Sequence, residues 1–133
     1  MQEIQKVYEF IIQCGTYYIA TIDGDKPRVR PFGTVVIFEG KLYIQTSKLK
    51  NVSKQIQENP NVELCAFNGD KWILVSGKLV RDDRIEAKRY MLDKHPSLKS
   101  VYSAEDDKTE VLYFENATAV ISSFSAEDEI VSF

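Results

Sequence analysis

Three times along this chain a β-rich run meets a tight turn and then a second β-rich run. Thr16 to Ile22 passes through Asp23-Gly24-Asp25 into a run whose start or edge is marked by Pro27. Arg28 to Phe38 passes through Glu39-Gly40 into Lys41 to Gln45, and Asn61 to Asn68 passes through Gly69-Asp70 into Lys71 to Arg81. β-Branched and aromatic residues crowd these runs, and turns this short reverse the chain, so successive strands pair antiparallel. A doubly wound parallel sheet would want a helix after nearly every strand. The predicted class is mainly β with α (α+β), an antiparallel barrel or curved sheet with a few peripheral helices.

The helices lie between the hairpins. Ile4, Val7, Tyr8, Ile11 and Cys14 recur at three- and four-residue steps before Gly15, an amphipathic opening helix with a C-terminal stop. A second helix is expected after Thr46, with Ser47 as N-cap, Leu49, Val52 and Ile56 as its buried stripe, and Asn59-Pro60 as its end. Asp82-Asp83 can cap a third, running to about Lys94 and terminated by His95-Pro96. Ser97 to Tyr102 suggests a further helical turn, and Ser103 to Thr109 an acidic loop. Val111 to Phe114 and Ala117 to Phe124 read as strand, joined or bulged at Glu115-Asn116, and the tail 125–133 carries no assignment. The order is helix, three strands, helix, two strands, helix, two strands. Within Arg28 to Phe38, Pro31 and Gly33 signal a bulge or a close backbone approach.

With 133 residues the chain is expected to form one domain, residues 1–133, with a core that needs no disulfide. A formal charge of −3 and a pI near 5.2 argue against general nucleic-acid binding, so any phosphate site must be local. Cys14 and Cys65 form no CxxC pair and are expected to be reduced and buried. The start lacks a signal-peptide pattern, and no apolar run approaches the ~20 residues that span a bilayer, so the expected location is the cytoplasm, without membrane attachment.

Familiar catalytic signatures are missing: there is no GxGxxG, GxxxxGK[ST], HExxH or GxSxG. His95 is the only histidine and reads as a surface or C-cap residue, which leaves no basis for triad chemistry. Asp82-Asp83 and Asp106-Asp107 read as cap and loop charges.

What remains is basic. Lys48, Lys50 and Lys54 crowd the start of the second helix, where a cation is unfavourable by roughly 0.3–1 kcal/mol when exposed. They are either solvated surface lysines or, with Thr46, Ser47 and free helix N–H groups, part of an anion site. Arg28 and Arg30 share one face of their strand. A hairpin could bring Arg30 beside Thr46 and complete a phosphomonoester cradle; the alternative is pairing with acids such as Glu39. Trp72, the only tryptophan, is either a core or interface anchor or a platform for a planar ligand.

The runs Lys26-Pro27-Arg28-Val29-Arg30-Pro31-Phe32-Gly33, Gly40 to Ser47 with Lys50-Asn51-Val52, Ile56 with Asn59-Pro60-Asn61-Val62, and Trp72 to Gly77 together resemble the pyridoxamine 5'-phosphate oxidase-like flavoproteins. The resemblance spans about Phe10 to Phe124 and rests on order and spacing. It implies a split β-barrel homodimer with FMN at the subunit interface. Arg30, with Arg28 near it, would belong to the strand along the flavin, and backbone groups of Pro31, Phe32 and Gly33 would face the ring. Thr46, Ser47, Lys50 and Asn51 would hold the phosphate, and Trp72 would reach the cofactor from the second subunit. The chain departs from the oxidase proper at Trp72, where a glutamine is usual, at Leu49-Lys50, where an Arg-Lys pair is usual, and in lacking a counterpart to the oxidase's substrate-binding C-terminal segment. A short, general member of the family is therefore expected. The implied activity is an FMN-dependent oxidoreductase acting on a small molecule, with NADH or NADPH as candidate donors and no assigned catalytic side chain. The alternative is a non-catalytic module that stores or senses flavin, or binds another phosphorylated or tetrapyrrole ligand.

Overall fold

A computed structural model describes residues 2–133. The opening helix α1 (Gln2–Cys14) buries Ile4, Val7 and Ile11 of the predicted stripe, with Tyr8 and Cys14 only partly buried against the core. Gly15 ends it at φ +80°, and its N–H bonds back to Ile11 and Ile12. Eight strands follow: β1 (Tyr17–Asp23), β2 (Lys26–Phe32), β3 (Val36–Phe38), β4 (Lys41–Ser47), β5 (Asn61–Phe67), β6 (Lys71–Asp82), β7 (Thr109–Ser123) and β8 (Glu129–Ser132). They form one antiparallel sheet in the order β2-β1-β5-β6-β7-β4-β3, with β8 added to β7. The sheet does not close, as a split barrel requires. Its inner face holds Ile19, Leu42, Ile44, Leu64, Ile73 and Val75, all fully buried.

The single strand expected over Arg28 to Phe38 is two strands, and this correction explains the architecture. β2 and β3 are neighbours in sequence yet lie at opposite ends of the sheet order. The break at 33–35 is fastened by side chains where a ladder would otherwise run. The Tyr17 hydroxyl donates to the Thr34 carbonyl at 2.7 Å, and the Gln45 N–H donates to Thr34 Oγ1 at 3.1 Å. Pro31, with no N–H to give, precedes the point where pairing stops.

The strand over 111–124 is continuous as β7, with the expected irregularity at Asn116 (φ +54°) and a register shift opposite, between Ser76 and Lys78. Gly77 sits in that shift. A Cβ there would lie 3.1 Å from both Cα and Cβ of Ala117, so the close approach excludes a side chain unless the bulge gives. The unassigned tail supplies β8.

The second helix, α2 (Asn51–Glu58), starts later than expected. Ser47 is not its N-cap: it remains in β4, paired with Thr109, and its hydroxyl accepts the Leu49 N–H at 3.2 Å. Lys50 occupies the cap position with no side-chain cap bond. Leu49, outside the helix, is exposed, while Val52, Ser53 and Ile56 are buried. Helix α3 (Ile85–Lys94) is preceded by Asp82, which accepts from the Tyr43 hydroxyl at 2.7 Å and from the Arg84 guanidinium at 2.9 Å. Those bonds, Arg84's first, hold the Asp82 carboxyl down to about 2 against the opposing effect of burial. A 3-10 turn (Pro96–Ser100) follows the α3 stop at His95.

Cys14 and Cys65 are free, as expected, but only half-buried. No helix among the described residues is long and apolar enough to cross a membrane.

The outer face of the sheet is unexpectedly apolar along one line. Strand register sets Pro31 beside Tyr18, Tyr18 beside Cys65, Cys65 beside Leu74, Leu74 beside Val120 and Val120 beside Ile130. Tyr18 is 52% exposed and Ile130 68%. At one flank Trp72 pairs with Phe67 and packs on Phe124, ring centroids 5.0 Å apart.

Candidate functional site

The break between β2 and β3, the end of β4 and the start of α2 meet at one cavity of about 290 Å³. Residues 30–34 form one wall, Gln45 and Thr46 the end of β4, and Lys50 and Val52 the helix start. Leu98 and Tyr102 close it from beyond α3. A second cleft, about 430 Å³, shares Arg30, Lys50 and Val52 with the first and adds Asp23, Arg28, Val29, Asn51 and Gln55, the Asp23 carboxylate being paired with Arg28. Arg30 and Lys50 therefore stand where the two clefts join.

The proximity of Arg30 to Thr46 does not arise from a shared hairpin. β2 pairs with β1, and β4 pairs with β3 and β7; curling of the sheet brings the two ends together. Arg30 faces inward opposite Ile19. Its guanidinium donates to Thr21 Oγ1 at 2.8 Å, to Gln55 Oε1 at 2.7 Å and to the Ile19 carbonyl at 3.3 Å. All three acceptors are neutral. Burial, then the positive charge of Arg28, pull its pKa below the ordinary guanidinium value, although an arginine stays charged at neutral pH.

Of the other cations near the helix start, Arg28 pairs with Asp23 at 2.9 Å and Lys48 with Asp83 at 3.5 Å, while Lys54, in no ion pair among the described residues, lines neither cleft. Glu39, the alternative partner considered for the arginines, pairs with Arg84. No ion pair among the described residues involves Arg30 or Lys50. The first cavity has no carboxylate in its wall. The uncapped N-terminus of α2 adds partial positive charge there. A cavity with a half-buried guanidinium, an ammonium, a helix start and no acid suits an anion, and a phosphate most directly.

Of the residues singled out by sequence, Arg30, Pro31, Phe32, Gly33, Thr46 and Lys50 line the first cavity, and Arg28 and Asn51 the second. Ser47 is buried beside it with its hydroxyl committed to the Leu49 N–H. Trp72 lies on the outer face of the sheet, away from both clefts of its own chain. Sequence reasoning missed Thr34, Gln45, Gln55, Leu98 and Tyr102. Gln55 was within reach of a helical count, since it follows Asn51 by four residues and so shares its face. Leu98 and Tyr102 carry no local signal. His95, expected at a surface or helix end, does end α3, and its Nε2 lies 3.0 Å from the Val35 carbonyl, pinning the cavity loop.

Comparison with known proteins gives a consistent likeness. The sequence family described as pyridoxamine 5'-phosphate oxidase matches residues 4–121. A NimC/NimA family protein from Clostridium acetobutylicum is 44% identical, with a TM-score of 0.96 over 99% of this chain and 93% of that one. A pyridoxamine 5'-phosphate oxidase-related, FMN-binding protein from Nostoc punctiforme is 12% identical, with a TM-score of 0.63 over 99% of this chain and 95% of that one. A heme-binding protein from Mycobacterium smegmatis is 11% identical, with a TM-score of 0.75 over 98% of this chain and 57% of that one. At such low identity the last two share the fold alone. No curated protein sequence matches the chain significantly.

Proposed function

Because the chain belongs to the pyridoxamine 5'-phosphate oxidase family, with a NimC/NimA family protein among its relatives, we propose that it binds FMN and acts as an FMN-dependent oxidoreductase on a small molecule. The observation that carries this reading is the pair of cations, Arg30 and Lys50, which form no ion pair among the described residues and stand in the wall of a cavity that holds no carboxylate. The half-buried Arg30 guanidinium bears a cost for leaving water, which a ligand phosphate would compensate while also pairing with the exposed Lys50 ammonium. Arg30 and Lys50 would hold that phosphate, with Thr46 and the α2 start beside them. The backbone of Pro31 to Gly33 would flank the ring. When bound, the flavin supplies hydride or electron transfer; the protein's own part is to anchor, orient and exclude water.

The test is the visible spectrum of the purified protein. A flavin spectrum, or flavin binding on addition of FMN, is expected; a colourless protein that ignores added FMN would end this reading. Mixing the loaded protein rapidly with NADH or NADPH then separates enzyme from carrier, since a carrier is reduced no faster than free FMN. The carrier alternative draws support from the first cavity wall, which holds no carboxylate, histidine or cysteine to serve as acid or base. Lys50→Ala should weaken FMN by about 1.5–3 kcal/mol, the range for a hydrogen bond to a charged group. Unchanged affinity in a titration would move the phosphate elsewhere.

We also propose a homodimer seated on the outer apolar row. The row ends at Pro31, which lines the cavity as well, so a second copy on this face would meet the cavity's rim. Trp72 and Phe124 would be covered by the same partner. Leu74→Lys, at the middle of the row, should shift the protein from dimer to monomer in light scattering and weaken FMN at the same time. A variant that stays dimeric would place the interface on another face.

A further inference from the structure

Arg30 and its neighbours carry an inference about how the proposed site selects its ligand. Gln55 and Thr21 were given no role in binding, yet both grip the guanidinium. Thr21 is buried, at 2% exposure, and its hydroxyl donates to Gln55 Oε1 at 2.6 Å while accepting from Arg30 Nη1 at 2.8 Å. Gln55 Oε1 accepts from Arg30 Nη2 at 2.7 Å. The three side chains close a ring of hydrogen bonds across β1, β2 and α2. Only the amide oxygen can face two donors, so the network itself fixes the orientation of the Gln55 amide.

A guanidinium has about five N–H donors in a rigid fork. Both Nη1 hydrogens are committed, to Ile19 O and Thr21 Oγ1, and one Nη2 hydrogen to Gln55. The Nε–H and the second Nη2–H take no partner among the described residues. Two donors on one side of the fork suit two oxygens of one anion. The clamp is made entirely of neutral groups. A carboxylate in place of the Gln55 amide would hold the guanidinium as well, but would cancel its charge and compete with the ligand.

We propose that Gln55, with Thr21, is a positioning residue that holds Arg30 in a fixed pose while leaving its charge uncompensated, and thereby makes the site selective for the phosphorylated flavin. The proposal rests on the reading of this cavity as an FMN phosphate site. It goes further in predicting that the α2 position 55 must be neutral for phosphate selectivity. Riboflavin, which has the same ring and no phosphate, is the probe that isolates the effect.

The experiment titrates wild type, Gln55→Glu and Thr21→Val with FMN and with riboflavin, at low and at high salt. Wild type should bind FMN more tightly than riboflavin, and more so at low salt. Gln55→Glu should lose FMN affinity by about tenfold or more, with riboflavin affinity held within about twofold and the salt dependence flattened. Thr21→Val, close to isosteric, should lose about threefold for FMN alone. A Gln55→Glu protein that binds FMN as wild type does overturns the proposal. So does a parallel fall for both flavins, which marks a purely structural role. If Gln55→Glu does not fold, as judged by circular dichroism, Thr21→Val decides by the same criterion. A wild type that binds no FMN overturns the flavin reading and this proposal together, whereas wild-type binding with unchanged variants overturns the positioning role alone.

Discussion

Arg30→Met should lower FMN affinity by about 3 kcal/mol, more than a hundredfold, while leaving the ligand-free protein as stable as wild type or more so. The two halves of this result come from one fact. Arg30 is half-buried, and its partners Thr21, Gln55 and the Ile19 carbonyl are all neutral. In the free protein the guanidinium bears a desolvation cost that no carboxylate offsets; methionine fills the same space without that cost. Thr21 and Gln55 still satisfy each other when the guanidinium is gone. In the bound protein the same guanidinium meets the phosphate with donors already oriented. Its loss should exceed that of Lys50, which is exposed and must be ordered on binding. Urea unfolding of the free protein and flavin titration measure the two effects separately. Lost stability with unchanged affinity would make Arg30 a structural residue, and the anion site would have to be sought elsewhere.

The antiparallel fold was legible because its information is local. Turns at Gly24, Gly40 and Gly69 sit between runs of β-rich sequence, and each reverses the chain where expected. The split of the barrel was half legible. Pro31 and Gly33 flagged a disturbance, but a bulge and a full departure to the other end of the sheet begin with the same two residues. The difference is made by Tyr17 and Gln45, which hold Thr34 from other strands, and no spacing rule reveals such contacts. Ser47 was misread as a cap because a serine before a helical stretch is the usual signal; pairing with Thr109 keeps it in the sheet instead. For the candidate site, the excess of lysine at the helix start pointed to the clefts that Lys50, alone of the three lysines, lines. Which cations lack partners could only come from the fold, since Asp83 reaches Lys48 and Asp23 reaches Arg28, while no acid reaches Arg30 or Lys50 among the described residues. The outer apolar row was invisible for a related reason. Its residues come one from each of six strands, and only register aligns them.

Ile44→Ala should cost about 3 kcal/mol of folding stability, within the range for deleting a buried branched side chain. Ile44 is fully buried at the centre of β4, directly opposite Leu112, and the strand that holds it also carries Gln45 and Thr46 into the cavity. For a domain of this size, whose total stability is of the order of 5–15 kcal/mol, the melting temperature should fall by about 10 °C. The variant then becomes a sensitive reporter of the ligand. FMN at a hundred times its dissociation constant should return about 2.7 kcal/mol, nearly the whole deficit, because it binds the folded state alone. Riboflavin should return less, by whatever the phosphate contributes. A melting temperature that FMN does not move would mean that the native state gains nothing from the cofactor. Arg30 and Lys50 would then have to be counted as charges the fold tolerates, and the anion that balances them would not be a flavin phosphate.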